Sequence, residues 1–214
     1  MPIRAIIFDN DGVLTHTEST FFVVNKTILT SLGIEYGEDD FIEHTFDTGL
    51  GSSGWLKKKG YEQNLIDDFS KKRDALHRKE IVKADTSEPN AMPVLKTLKN
   101  DYLLCIATNT RRDMFNLTHG QDEAYKLFDE VVCREDYNMT KPAPDAYLAA
   151  LKKINLNAGE VIVVEDSPRG IVAAKEAGLK VIAITNPHFP TINTKQADFH
   201  IQSLTELPDL LTRL

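Results

Sequence analysis

Five short apolar runs, none of them alternating with polar residues, limit what this chain can fold into more than any other feature. They are Ala5-Ile6-Ile7-Phe8, Leu103 to Ala107, Val131-Val132-Cys133, Val161-Ile162-Val163-Val164 and Val181-Ile182-Ala183-Ile184. A strand with one wet face alternates apolar and polar residues, whereas a strand buried on both faces reads as an unbroken apolar run. Helix-patterned stretches at 111–119, 144–153 and 168–177 separate the later runs, and the last closes at the stop signal Ala177-Gly178. Strand alternating with helix implies an α/β fold, a doubly wound parallel sheet with right-handed crossovers.

The first run breaks this rhythm. No strand-like run lies between Phe8 and Leu103. Phe21, Val24, Ile28 and Leu32 fall on one helical face that ends at Gly33. Residues 61–83 are charged and helical in pattern, and Ala84 to Asn90 form a polar linker. The expected organisation is a core strand in 1–15, an inserted small α-helical domain in 16–85, and the rest of the core in 86–214. One continuous domain with long helices is the alternative.

Composition removes several classes. The 214 residues are 42% hydrophobic and 27% charged, ordinary globular usage. Lys and Arg number 25 and Asp and Glu 32, so the net charge is 25 − 32 = −7. That balance argues against nucleic acid as a partner, which calls for a basic face. Cys105 sits in an apolar run and reads as a buried thiol, and with Cys133 it forms no zinc pattern. No segment reaches the roughly 18 apolar residues of a membrane helix. The N-terminal apolar run is too short for a signal peptide. The expectations are therefore no membrane partner, a cytoplasmic location, and a monomer or weak dimer.

The chemistry gathers where the strands stop, the place where open α/β sheets bind ligands. Asp9 and Asp11 leave the first strand as alternate residues and can divide the roles of nucleophile and general acid/base. Gly12 permits an unusual backbone path after them. A plain turn is the bland alternative. A calcium loop also matches Asp9, Asp11, Gly12 and Glu18, but its first ligand falls on Ile7 and a strand precedes it where a helix is needed. Glu165-Asp166 follows the fourth run directly. Set beside Asp9, these carboxylates call for a hard cation with few protein donors, which suits Mg²⁺; alone, the pair reads equally as a solvated turn. Thr108-Asn109 opens a helix and offers a hydroxyl and backbone N–H groups to an anion, or merely a helix cap. Lys141, in Lys141-Pro142-Ala143-Pro144-Asp145, is a point charge in a proline-braced loop, or a surface lysine.

Taken in order, Phe8-Asp9-Asn10-Asp11-Gly12-Val13-Leu14, Ile106-Ala107-Thr108-Asn109, Lys141-Pro142-Ala143-Pro144-Asp145 and Val164-Glu165-Asp166-Ser167 with Gly170 resemble the four motifs of the haloacid dehalogenase superfamily. The likeness is to its phosphatase and phosphoglucomutase-like branch, with a Rossmann-like core and a helical cap inserted after the first strand. It implies a phosphatase acting on a small phosphomonoester such as a sugar phosphate or phosphoglycolate. Asp9 would attack phosphorus and form an aspartyl-phosphate. Asp11 would serve as acid and base. Thr108, the Asn109 amide and Lys141 would hold phosphoryl oxygens. Mg²⁺ would be held by Asp9, the Asp11 carbonyl and Asp166, with Glu165 in support. Dehalogenation is disfavoured, because dehalogenases of this superfamily lack the second aspartate. His16 stands where an Asp is common at the entry to the cap; a hinge contact and an ordinary surface histidine both remain open.

A mutase acting on phosphohexoses is the alternative, and a non-catalytic phosphate-binding or interaction protein a more distant one. A mutase must grip a second phosphate, for which relatives use a cap arginine, and this chain has none between Arg4 and Arg73. The expected specificity loop, Thr45 to Trp55, offers hydroxyls and aromatics instead: Thr45, Phe46, Ser52, Ser53 and Trp55, with Arg111 a further candidate. Phe46 and Trp55 serve equally as cap core.

Overall fold

The computed structural model describes residues 2–120 and 122–214, and the chain divides into two compact units. One comprises the residues up to His16 together with Ser87–Leu214, and the other is Thr17–Thr86.

The first unit is built on a six-stranded sheet, β1 (Ala5–Phe8), β2 (Leu103–Ala107), β3 (Glu130–Val132), β4 (Val161–Glu165), β5 (Lys180–Ile184) and β6 (Phe199–Ile201), in the order β3-β2-β1-β4-β5-β6. Every pair is parallel, as the doubly wound reading requires. Successive residues of each run serve opposite faces. Ile6, Phe8, Leu104, Ile106, Ile162 and Val164 enter one core cluster; Ala5, Ile7, Cys105, Ala107, Val161 and Val163 enter the other. Helices α5 (Ala91–Leu98), α6 (Arg112–His119) and α9 (Leu207–Leu211) contribute to the first cluster. Helices α7 (Asp145–Ile154) and α8 (Pro168–Glu176) contribute to the second. Burial on both faces is the reason the runs do not alternate. Strand β6 gave no apolar run, because His200 is exposed in the middle of a three-residue edge strand.

Register carries the chemistry. Phe8 lies beside Ile106 and Val164, so the residues that follow β1, β2 and β4 emerge at one edge of the sheet. The two connections to the other unit leave side by side, with Thr15 bridged to Ser87 and the His16 ring 3.1 Å from the Glu88 carboxylate.

The second unit is helical: α1 (Thr17–Ser31), α2 (Glu38–Ile42), α3 (Gly51–Lys58) and α4 (Gln63–Ile81), with a π-helical turn at Glu43–Asp47. The expected loop at Thr45 to Trp55 is thus largely helical. Its Gly-Ser-Ser-Gly start reads as a loop by propensity, but Ser52, Trp55 and Leu56 of α3 are buried, and packing overrides a propensity of about 1 kcal/mol per glycine. Phe46 and Trp55 belong to an aromatic core with Phe41, Tyr36 and His44. Both are buried there, as the cap-core alternative expects.

His44 is fully buried in this core, with Nε2 2.6 Å from the Tyr36 hydroxyl. Burial pushes its pKa down from 6.5 to about 4. The folded chain keeps it neutral while the unfolded chain takes a proton, so its stabilising share is complete above about 6.5 and is lost as pH falls towards about 4. Wild type should lose about 2 kcal/mol more than His44→Gln between pH 7 and pH 5 in urea unfolding. An equal loss in both would contradict this.

Candidate active site

Asp9 directly follows β1 and is held there by its backbone N–H, which donates to the Val164 carbonyl at 2.9 Å. The chain then turns sharply. The Asn10 carbonyl accepts from the backbone N–H groups of Val13, Leu14 and Thr15, and Gly12 takes a φ of 85°, which only glycine adopts without strain. Asp11 is fixed by two threonines: Thr110 Oγ1 donates to its Oδ2 at 2.7 Å and Thr108 Oγ1 at 3.3 Å.

Lys141 is buried, and its three ammonium protons are all used. Nζ donates to Asp9 Oδ1 at 2.8 Å, to the Ala107 carbonyl at 2.9 Å and to Glu165 Oε1 at 2.7 Å. These partners hold its pKa well above the ordinary lysine value, against the cost of burial. Lys141 therefore sits inside the site as a fixed cation. The loop that carries it is braced by a cis Lys141–Pro142 bond and by Asn109, whose Oδ1 accepts from the Lys141 N–H at 3.2 Å and from the Tyr137 hydroxyl at 2.8 Å.

Glu165 is wholly buried and saturated. Oε1 accepts from Lys141 and from the Tyr147 hydroxyl at 2.7 Å; Oε2 accepts from the N–H groups of Asp166 and Ser167 and from Ser167 Oγ. Asp166 Oδ2 accepts from Asn186 Nδ2 at 2.7 Å. Tyr147, Tyr137, Asn186 and Thr110 are the site residues that sequence reasoning missed. Only Asn186 left a trace, since Thr185-Asn186 after β5 echoes Thr108-Asn109 after β2.

The electrostatics test the expected metal. Carboxylate oxygens of Asp9, Glu165 and Asp166 lie within 4.8 Å of one another, all buried. Burial, together with the neighbouring carboxylates, raises Asp9 to about 7 although Lys141 opposes it, and raises Asp166 well above the ordinary range. Three clustered buried acids, two of them bonded to one lysine, carry excess negative charge, and such a set is stable in ionised form only with further positive charge among it. An all-oxygen donor set of this kind fits Mg²⁺.

The remaining predicted residues make contacts within their own units. Arg111 is exposed and paired with Asp113 at 3.4 Å. Thr45 Oγ1 is 3.1 Å from His44 Nδ1. In the helical unit Arg73 Nη1 donates to Ser52 Oγ at 2.9 Å and lies 3.4 Å from Ser53 Oγ, with the guanidinium over Phe21 and Phe69. Folding thus brings an arginine to the serines expected to set specificity, so the linear gap between Arg4 and Arg73 does not count against a mutase.

A profile of the haloacid dehalogenase-like hydrolases matches residues 6–184. The chain belongs to this family. A (DL)-glycerol-3-phosphatase of Arabidopsis thaliana is 31% identical over 95% of this chain and 88% of its own. Among solved structures, a candidate phosphoglycolate phosphatase of Lactobacillus plantarum superposes with a TM-score of 0.81 at 17% identity, covering 98% of this chain and all of that one (100%). A β-phosphoglucomutase of Clostridium difficile gives 0.77 at 18%, with 99% and 98% covered. At such identities the two structures speak for the fold alone.

Gly170 has a strict role here. A Cβ on it would lie 1.6 Å from Glu165 Oε1, and that carboxylate is pinned by all its donors and cannot swing aside. Alanine ordinarily favours a helix over glycine by about 1 kcal/mol. Gly170→Ala in α8 should do the reverse, lowering the thermal midpoint and cutting phosphatase turnover roughly tenfold or more. An unchanged or raised midpoint would show that Glu165 is not held as described.

Proposed function

We propose that this chain is a Mg²⁺-dependent phosphatase that hydrolyses a small phosphomonoester through an aspartyl-phosphate at Asp9. The observation that carries this reading is the buried Lys141 bridging Asp9 and Glu165 at 2.8 and 2.7 Å, with Asp166 in the same carboxylate cluster.

Asp9 supplies the nucleophile. One carboxylate oxygen bonds to phosphorus as the ester P–O bond breaks, and the Asp11 carboxyl gives its proton to the departing alcohol oxygen. Asp11, now a carboxylate held by Thr108 and Thr110, takes a proton from water as that water attacks phosphorus. The bond to Asp9 breaks, phosphate leaves, and both aspartates return to their starting state. Lys141 keeps its charge beside the attacking oxygen throughout. Thr108 and the Asn109 backbone N–H, at the start of the segment leading into α6, offer donors to the phosphoryl oxygens. Asp9, the Asp11 carbonyl and Asp166 would hold Mg²⁺, which when bound supplies positive charge against the phosphoryl oxygens. Glu165, with both oxygens occupied, orients Lys141 and the turn at Asp166 and Ser167.

The preference for hydrolysis over mutase chemistry rests on the glycerol-3-phosphatase relative. That relative also makes glycerol phosphate the first ester to assay, ahead of a wider panel of sugar phosphates and phosphoglycolate. We assign the helical unit, an insertion in the chain between His16 and Ser87, the choice of leaving group.

Phosphate release from glycerol phosphate or a generic aryl phosphate should require Mg²⁺, stop on chelation and return when Mg²⁺ is restored. Asp9→Asn should lower kcat roughly 1,000-fold or more. Turnover that survives Asp9→Asn would overturn the mechanism, and isomerised sugar phosphate without release of phosphate would overturn the reaction class.

A further inference from the structure

The residue between the two catalytic aspartates has a buried network of its own. Asn10 is fully buried. Its Oδ1 accepts from the Tyr125 hydroxyl at 2.9 Å, and its Nδ2 lies 3.2 Å from His119 Nε2. The His119 and Tyr125 rings stack, with centroids 4.1 Å apart and planes 14° from parallel. Phe115 meets both edge-on. These partners come from α6 and from the single turn of 3-10 helix at Glu123–Leu127, far from Asn10 in sequence.

The direction of the hydrogen bonds is set by chemistry. The phenol donates to the amide oxygen, so the amide nitrogen donates to His119, whose Nε2 must then be the acceptor of a neutral ring. Burial holds the His119 pKa below its ordinary value, with the Asp11 and Asp122 charges opposing, which agrees with a neutral ring. The Tyr125 hydroxyl stays protonated, since its pKa is well above the ordinary value.

Packing alone does not call for an amide here. Alternation from Ile6 and Phe8 puts residue 10 on the sheet face that packs Phe115 and Ala124, where an apolar side chain would fill the space without any desolvated polar group. What an amide adds is direction. Two hydrogen bonds fix its torsion, while its backbone carbonyl anchors the turn through Val13, Leu14 and Thr15. Asp9 and Asp11 flank this pivot.

We propose that Asn10, His119 and Tyr125 act as positioning residues for phosphoryl transfer, clamping the turn so that Asp9 and Asp11 keep their mutual orientation. This rests on the phosphatase reading above. None of the three touches substrate; they act through the backbone on either side of Asn10. Misplacement of reacting groups by about 1 Å costs up to 100-fold in rate, so loss of the clamp falls on kcat and leaves substrate affinity alone.

The test compares wild type, Tyr125→Phe, His119→Leu and His119→Gln in the full-length protein with Mg²⁺ and an aryl phosphate, measuring kcat, KM and thermal midpoint. Tyr125→Phe and His119→Leu should each lower kcat roughly tenfold with KM within about twofold. His119→Gln, whose Oε1 can accept from the Asn10 amide, should recover most of the kcat lost in His119→Leu. The double variant should lose less than the product of the single losses, because the groups act as one unit. Tyr125→Phe removes a single oxygen and serves if His119→Leu does not fold. Folded variants with wild-type kcat, losses confined to KM, or a glutamine no better than leucine would each overturn the inference while wild-type turnover leaves the phosphatase reading intact. A wild type without turnover would overturn both.

Discussion

A lysine ammonium buried between two carboxylates is the interaction on which the rest of this structure depends. Lys141 takes nothing from solvent; each of its protons goes to Asp9, Glu165 or the Ala107 carbonyl. A buried ion cluster of this kind gains stability only if every member is satisfied, and removal of one partner strands the others. The surrounding chain meets that condition. Tyr147 and the turn at Asp166 and Ser167 saturate Glu165, Gly170 leaves room for it, and Asn186 holds Asp166. Three carboxylates against one ammonium leave the cluster negative, which is the electrostatic reason the site calls for a divalent cation.

That logic also resolves the overall charge of −7, which at first argues against an anionic ester as substrate. The acidic excess is partly concentrated in one buried cluster, whose local sign is set by Lys141 and the cation it would hold. An acidic protein can thus present a positive centre to phosphate.

Much of this was legible in the sequence, and the limits have physical causes. The strands β1, β2, β4 and β5 show as apolar runs because both of their faces are buried, and the reactive residues show because they follow those runs directly. Helix α3 did not show, because Gly51, Ser52, Ser53 and Gly54 read as loop until Trp55 and Leu56 are seen to be buried. Arg73 looked remote from Ser52 and Ser53 until α4 packed beside α3. The supports Tyr147, Asn186, His119 and Tyr125 were silent for a shared reason. Each is an ordinary aromatic or polar residue whose meaning comes from what it touches, and those contacts join segments far apart in the chain. Asn10 was visible as a letter within a motif, but nothing local told that its amide is buried and paired.

The central claim is that Asp9, with Lys141 fixed beside it, takes the phosphoryl group before water does. The stereochemical course at phosphorus tests this most directly. With a thiophosphate ester made chiral at phosphorus by two oxygen isotopes and hydrolysis in water carrying the third, two successive in-line displacements, at Asp9 and then by water, predict overall retention of configuration. Inversion would mean a single attack by water, and would contradict the account.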